Sequence, residues 1–275
     1  MGKIIRNEKI ITPTQYIEKE NVDFAQSLIE GDATEIVVPE GTEVIKPYAF
    51  YKSKNLQHIF IPSSVKYFGT YSNIHSSDDG YVFAYSNYLK SVDLSNLTNY
   101  VYVGYGLYYS FAGCNNMTEV KLMPNITKLD DFMFYQCSKL PNIEIPSSVH
   151  TIESWCFYGC KALTKMNFPG NITKLANQAF GGSTNITKFT FPNNTVVPTL
   201  SNISAIPNGA NYIGQIAIPN SLYDTWTTAT NWVSLTKAQW VRFIDSWDET
   251  ITAEGDYALK TDTDLADVRH LTPAS

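Results

Sequence analysis

Four cysteines, four histidines and the Asp78-Asp79 doublet are the residues in this chain whose chemistry most invites a functional reading. The cysteines are Cys114, Cys137, Cys156 and Cys160. A zinc site needs ligands that converge as a tetrahedron, usually from CxxC pairs. Here Cys156 and Cys160 are four apart with no histidine beside them, so a metal centre is not expected. A disulfide between neighbours would be strained, and small buried thiols are the expected reading. The histidines, at positions 58, 75, 150 and 270, share no motif. Asp78-Asp79-Gly80 lacks the alternating oxygen ligands of a calcium loop. No GxSxG, HExxH, phosphate-binding loop or GxGxxG occurs. The chain therefore reads as a non-enzyme with no cofactor.

Three of the cysteines recur at one spacing, and that spacing exposes the element that positions them. Phe111-Ala-Gly-Cys114, Phe134-Tyr-Gln-Cys137, Phe157-Tyr-Gly-Cys160 and Phe180-Gly-Gly-Ser183 place their phenylalanines 23 residues apart. A second ladder keeps nearly the same step: Val38-Pro39, Ile61-Pro62, Met123-Pro124, Ile145-Pro146, Phe168-Pro169 and Phe191-Pro192. A third precedes it, as in Leu140-x-x-Ile143-x-Ile145 and Leu163-x-x-Met166-x-Phe168. Alternate residues of a strand face opposite ways, so Ile143 and Ile145 point inward while Asn142 and Glu144 point out. One such strand cannot bury its apolar side alone. Stacked copies can, which makes stability a sum over neighbours. The proline ends each strand because it offers no N–H to the ladder. The stretch leading to each Phe is compatible with a helical turn or a further short strand.

The unit I-x-x-L-x-x-x-x-F-x-x-C-x-x-L-x-x-I-x-I-P resembles the BspA-like leucine-rich repeats of gut and oral bacteria, over roughly residues 35 to 192. The resemblance implies a leucine-rich-repeat solenoid, right-handed, with a short parallel β-sheet on one face. It also implies a surface adhesin or recognition module, located outside the cell or on its surface.

Residues 1–34 are expected to form an N-terminal cap, with Ile17, Phe24 and Leu28 at helical spacing and Gly31 as a stop. Residues 35–200 carry about six or seven repeats. Residues 201–275 are expected to be a C-terminal cap or docking segment with an acidic tail. Within it, Ser221 reads as the N-cap of a helix over 221–232. Trp240, Phe243, Ile244 and Trp247 fall on one helical stripe over 236–248.

Two units exceed the repeat length. Phe50 to Phe83 spans 33 residues and Phe83 to Phe111 spans 28, so long insertions fall within 63–110. Ten of the 18 tyrosines lie between Tyr67 and Tyr109. Tyrosine mixed with Ser, Gly and Asn is the composition of antibody paratopes. One reading is a recognition patch made of Tyr67, Tyr71, His75, Tyr81, Tyr100, Tyr102, Tyr105 and Tyr108. The other is that these rings bury themselves over the irregular coils. The outward strand positions, among them His58, Phe60, Asp93, Glu119, Lys121, Glu144, Lys165, Lys188 and Thr190, read as a solvated face of mixed sign.

The 275 residues carry a net charge of −6, 44% hydrophobic residues and only 17% charged ones. Scattered lysines without a basic patch argue against nucleic acid. No window approaches the ~20 apolar residues of a membrane span. The start MGKIIRNEKIITPTQ has no apolar core of a signal peptide. The expected partner is a protein or glycan on a host or partner surface. The alternative is a structural or attachment component of a phage particle, docking through the terminal segments and located in the virion.

Overall fold

The computed structural model describes residues 34–38, 40–69, 80–101, 106–207, 214–236 and 241–245, with two short antiparallel strand pairs near the ends. These pairs are β1 (Ile4–Arg6) with β2 (Lys9–Ile11), and, at the far end, Tyr257–Ala258 with Thr272–Pro273. The helical cap expected over 13–30 lies outside the described residues.

The rest is a parallel β-solenoid of stacked coils. Each coil enters through a front strand: β3 (Glu35–Val37), β5 (His58–Phe60), β7 (Ser91–Asp93) and β8 (Glu119–Lys121) in one sheet. A second front sheet holds β11 (Lys165–Asn167), β13 (Lys188–Thr190), β15 (Gly214–Ile218) and β16 (Val241–Asp245). Pairing is parallel and in register, so Ile36, Ile59, Val92 and Val120 form one buried file, and Met166, Phe189 and Ile216 another.

The descending segments form a ladder of their own, beyond the single sheet the sequence implied. It pairs β4 (Val44–Ile45) with β6 (Tyr67–Phe68). It then runs through β9 (Lys128–Leu129), β10 (Thr151–Ile152), β12 (Lys174–Leu175) and β14 (Thr199–Leu200). Its inward residues Ile45, Phe68, Leu129, Ile152, Leu175 and Leu200 close the second side of the core.

The segment around each Phe is neither helix nor strand but a series of tight turns. The residues two before and two after the Phe have positive φ. The first set is Tyr48, Tyr81, Tyr109, Phe132, Trp155 and Gln178; the second is Lys52, Tyr85, Gly113, Gln136, Gly159 and Gly182. This alternation turns every second N–H along the solenoid axis. Phe50, Phe83, Phe111, Phe134, Phe157 and Phe180 each donate to the next coil at 2.7–3.0 Å. The residues at −2 and +2 do the same in the coils up to Trp155 and Gly159. The Phe rings themselves stack at 5.1–5.3 Å, within 9° of parallel.

The C-terminal end departs from the sequence expectation. Ser221 caps nothing: it lies inside a 3₁₀ turn (Asn220–Leu222) that leads into helix α1 (Tyr223–Thr228). Helix α2 (Trp232–Thr236) follows. The expected helix over 236–248 is replaced by β16, whose backbone pairs with β15 in parallel register, Phe243 beside Ile216. The gain of ladder bonds on an otherwise open sheet edge outweighs the helical spacing of the aromatics. Trp226 and Trp232, both buried, sit against Phe191 and cover the last coil.

Candidate functional site

The cysteines pack as a continuation of the serines at the same position. Cys114, Cys137 and Cys160 each donate their thiol to the carbonyl of the Phe one coil back, at 3.2, 3.1 and 3.1 Å. Ser86 and Ser183 make the same bond with their hydroxyls, both at 2.6 Å. The carbonyls of Phe83, Phe111, Phe134 and Phe157 also accept the N–H three residues on in their own coil, and that of Phe50 accepts the Ser53 hydroxyl at 2.7 Å, so both lone pairs are used. Burial pushes the Cys114 thiol up to about 12 and raises the other three as well. Cys156, one residue before a Phe, is buried outside this file. These thiols are interior polar groups rather than nucleophiles. Among the described residues no group of three His, Cys, Asp or Glu side chains is placed to hold a metal ion.

The tyrosines divide into three groups. Tyr71, His75, Tyr102 and Tyr105 lie outside the described residues. Tyr100, expected on a binding patch, is only 4% exposed and belongs to the core, against Phe68. Its hydroxyl has no hydrogen-bond partner, and burial, with the nearby Asp130, raises its phenol far above the usual value. Tyr67 is half-buried on β6.

Tyr81 and Tyr108 do come together, within a strip that the sequence reading missed. Tyr48, Tyr81, Tyr109, Phe132 and Trp155, all two residues before a repeat Phe, stack face to face. Their centroids are 5.1, 4.7, 4.3 and 5.9 Å apart in turn. Tyr51 stands edge-on to this file and to Tyr85. Tyr108 stands edge-on to Tyr81, Tyr109 and Phe132. Tyr135 stacks on Tyr158 at 5.4 Å beside it. Each ring is half-buried except Tyr85, which is exposed. Gly113 makes room for Tyr85: a Cβ there would lie 2.5 Å from its ring. The signal was available in the sequence, since Tyr109, Phe132 and Trp155 keep the 23-residue step, as do Tyr135 and Tyr158.

The front face alternates as expected, but Thr190 is buried rather than solvated. Phe60 is 55% exposed at its N-terminal half. Lys121 pairs with Asp93 at 2.8 Å.

A model of the BspA type leucine rich repeat region matches residues 24–77 and 79–210, in six copies. The chain belongs to the BspA-type leucine-rich-repeat family. The match starts inside the segment 1–34 that the sequence suggested as a cap. Similar solved structures include bacterial leucine-rich-repeat proteins. One is a leucine-rich repeat protein from Eubacterium ventriosum, with 29% identity, covering 58% of this chain and 45% of that one, at a TM-score of 0.41. Another, from Bacteroides ovatus, has 20% identity over 67% and 55% of the two chains, at 0.34. The pneumococcal vaccine antigen PcpA has 16% identity over 78% and 67%, at 0.42. This BspA-type chain spans about half the length of the first two. No curated protein matches it. Among the described residues of the BspA-type solenoid, no helix is long and apolar enough to cross a membrane.

Proposed function

We propose that this protein is a non-enzymatic recognition module acting outside the cell or on its surface, where it binds a protein or glycan of a host or partner surface. The observation that carries the reading is the aromatic strip. Its backbone positions do not require aromatic residues: left-handed φ favours Gly, Asn or Asp, and Gln178 fills the sixth place. Bulky rings held there at a conformational cost, partly open to solvent, make a rigid contact surface. Tyr and Trp dominate binding hot spots because they bury much area for little lost entropy. Of the tyrosines singled out in the sequence, Tyr81 and Tyr108 belong to this proposed surface.

The test is binding to arrays of glycans and of extracellular host proteins, comparing the native chain with Tyr85→Ser, Tyr135→Ser and Tyr158→Ser combined. The triple variant should keep its circular dichroism spectrum and lose binding at least tenfold, as expected for a group of hot-spot residues. A folded triple variant that binds as the native chain does removes the strip as the site.

A further inference from the structure

The two front sheets are separated by one rung, residues 142–144, that pairs with neither. At the other junctions the residue before the strand donates its N–H to its counterpart one coil back. Gln57 donates to Thr34, Lys90 to Gln57, Thr118 to Lys90 and Thr187 to Thr164, all at 2.8 or 2.9 Å, while Gln215, inside β15 and in register with Lys188, donates to Thr187 at 2.8 Å. The counterpart in the unpaired rung is Pro141, which has no N–H. The junction on its other side, from Thr164 to Pro141, is also unmade. The opening is confined to the front. On the back of the same coil, Thr151 and Ile152 stay in register with both neighbours, and Phe134 still donates to Cys156 at 2.8 Å.

A cleft lies on each side of this rung. One, of about 510 Å³, is walled by Asn142, Glu144, Lys165 and Asn167 over a floor of Ile143 and Ile145. The other, of about 330 Å³, is walled by Ser95, Lys121, Glu144 and Ser147 over Leu122 and Ile145. Both volumes fall in the range of small-ligand sites. The clefts share Glu144 and so form one groove, two units long, running along the solenoid axis. Its walls alternate donors and acceptors: two amides, a carboxylate, hydroxyls and the peptide groups that the missing pairing leaves open. Charge is balanced, with Glu144 set against Lys165, and Lys121 already held by Asp93. No aromatic or deep apolar pocket is present to take a peptide side chain.

We infer that this groove binds a neutral oligosaccharide, one sugar unit in each cleft, with ring hydroxyls bonding Asn142, Glu144 and Asn167 and the open backbone of the 142–144 rung. The site is independent of the aromatic strip, which lies on the turns around the repeat phenylalanines.

The test uses the full chain labelled with nitrogen-15 and titrated with malto-, chito- and galacto-oligosaccharides of four units. At least one should give saturable shifts in the backbone amides of Asn142–Ile145 and the side-chain amides of Asn142 and Asn167. Pro141→Thr supplies the N–H used at Thr118 and Thr187. It should slow hydrogen exchange at Asn142 and Glu144 and weaken that binding about tenfold or more. Asn142→Ala with Asn167→Ala should weaken it comparably while leaving the other amides in place. Three outcomes overturn the inference: no saturable shift with any of the three sugars, shifts confined to the aromatic strip, or unchanged affinity in the double Asn variant. Undiminished binding in a Pro141→Thr protein whose rung amides have become protected overturns it as well.

Discussion

Tyr100 and the cysteines show what a side chain costs in this interior. The Tyr100 hydroxyl is buried with no partner, and an unmade hydrogen bond costs about 1–3 kcal/mol. Tyr100→Phe is therefore expected to raise stability by about 1 kcal/mol, read as a higher midpoint in urea, with binding unaltered. The thiols give a pH dependence whose sign follows from linkage. Their folded values lie above the unfolded value, so between the two the folded state holds protons that the unfolded chain has released. Stability is then full below the ordinary thiol value and is lost as pH rises beyond it. Each buried thiol costs about 1.4 kcal/mol per pH unit over that window, which for Cys114 extends to about 12. Alkaline unfolding should accordingly steepen above about pH 9. Replacing Cys114, Cys137 and Cys160 with Ser, the residue already used at Ser86 and Ser183, should flatten it.

At the scale of the element, the repeat was legible because two periods coincide. The two-residue alternation of Ile143 and Ile145 fixes which side is inside, and the 23-residue step fixes what stacks on it. What escaped was set by contacts the pattern does not encode. Trp240, Phe243, Ile244 and Trp247 have helical spacing, yet the open edge of β15 takes Val241–Asp245 as a strand. Tyr100 has the composition of a paratope residue, yet its coil turns it inward. Pro141 was readable in principle, as the lone proline in a column of Gln57, Lys90, Thr118, Thr164 and Thr187. Its effect needs the knowledge that this N–H bridges coils. Close coil-to-coil approach makes one more position unforgiving. A Cβ on Gly170 would lie 2.3 Å from the carbonyl oxygen of Ser147 and 2.8 Å from that of Val149. Gly170→Ala should cost about 1–3 kcal/mol in thermal or urea unfolding, where an exposed Gly→Ala would be neutral or favourable.

For the whole molecule, stability is a sum over junctions, so the ends matter as much as the middle. Trp226 and Trp232 close the C-terminal end, but only one is fully bonded. The Trp232 indole donates to the Pro198 carbonyl at 2.7 Å, whereas the Trp226 indole N–H has no partner. Trp232→Phe should therefore be the costlier change by about 1 kcal/mol or more, since it strands a buried carbonyl, while Trp226→Phe removes an orphan donor. Equal costs in urea melts would mean that ring volume alone seals the end.

The backbone bonds that join coils around the repeat phenylalanines all run one way, from the N–H of one coil to the carbonyl of the next. In ordinary sheets successive peptide units oppose one another and their fields cancel. Here three files of peptide dipoles are aligned, as in a helix, so the solenoid carries an electrical polarity along its length. Its first coil presents partial negative charge and its last coil partial positive. Lys52 sits in the first coil of this series and Gln178 in the last. Reversing the sense at either end, with Lys52→Glu, should destabilise the stack by a few tenths to about 1 kcal/mol at low salt, and Gln178→Glu should stabilise it by as much. Both effects should fade as salt is added, which separates this long-range field from any local contact the substitutions disturb.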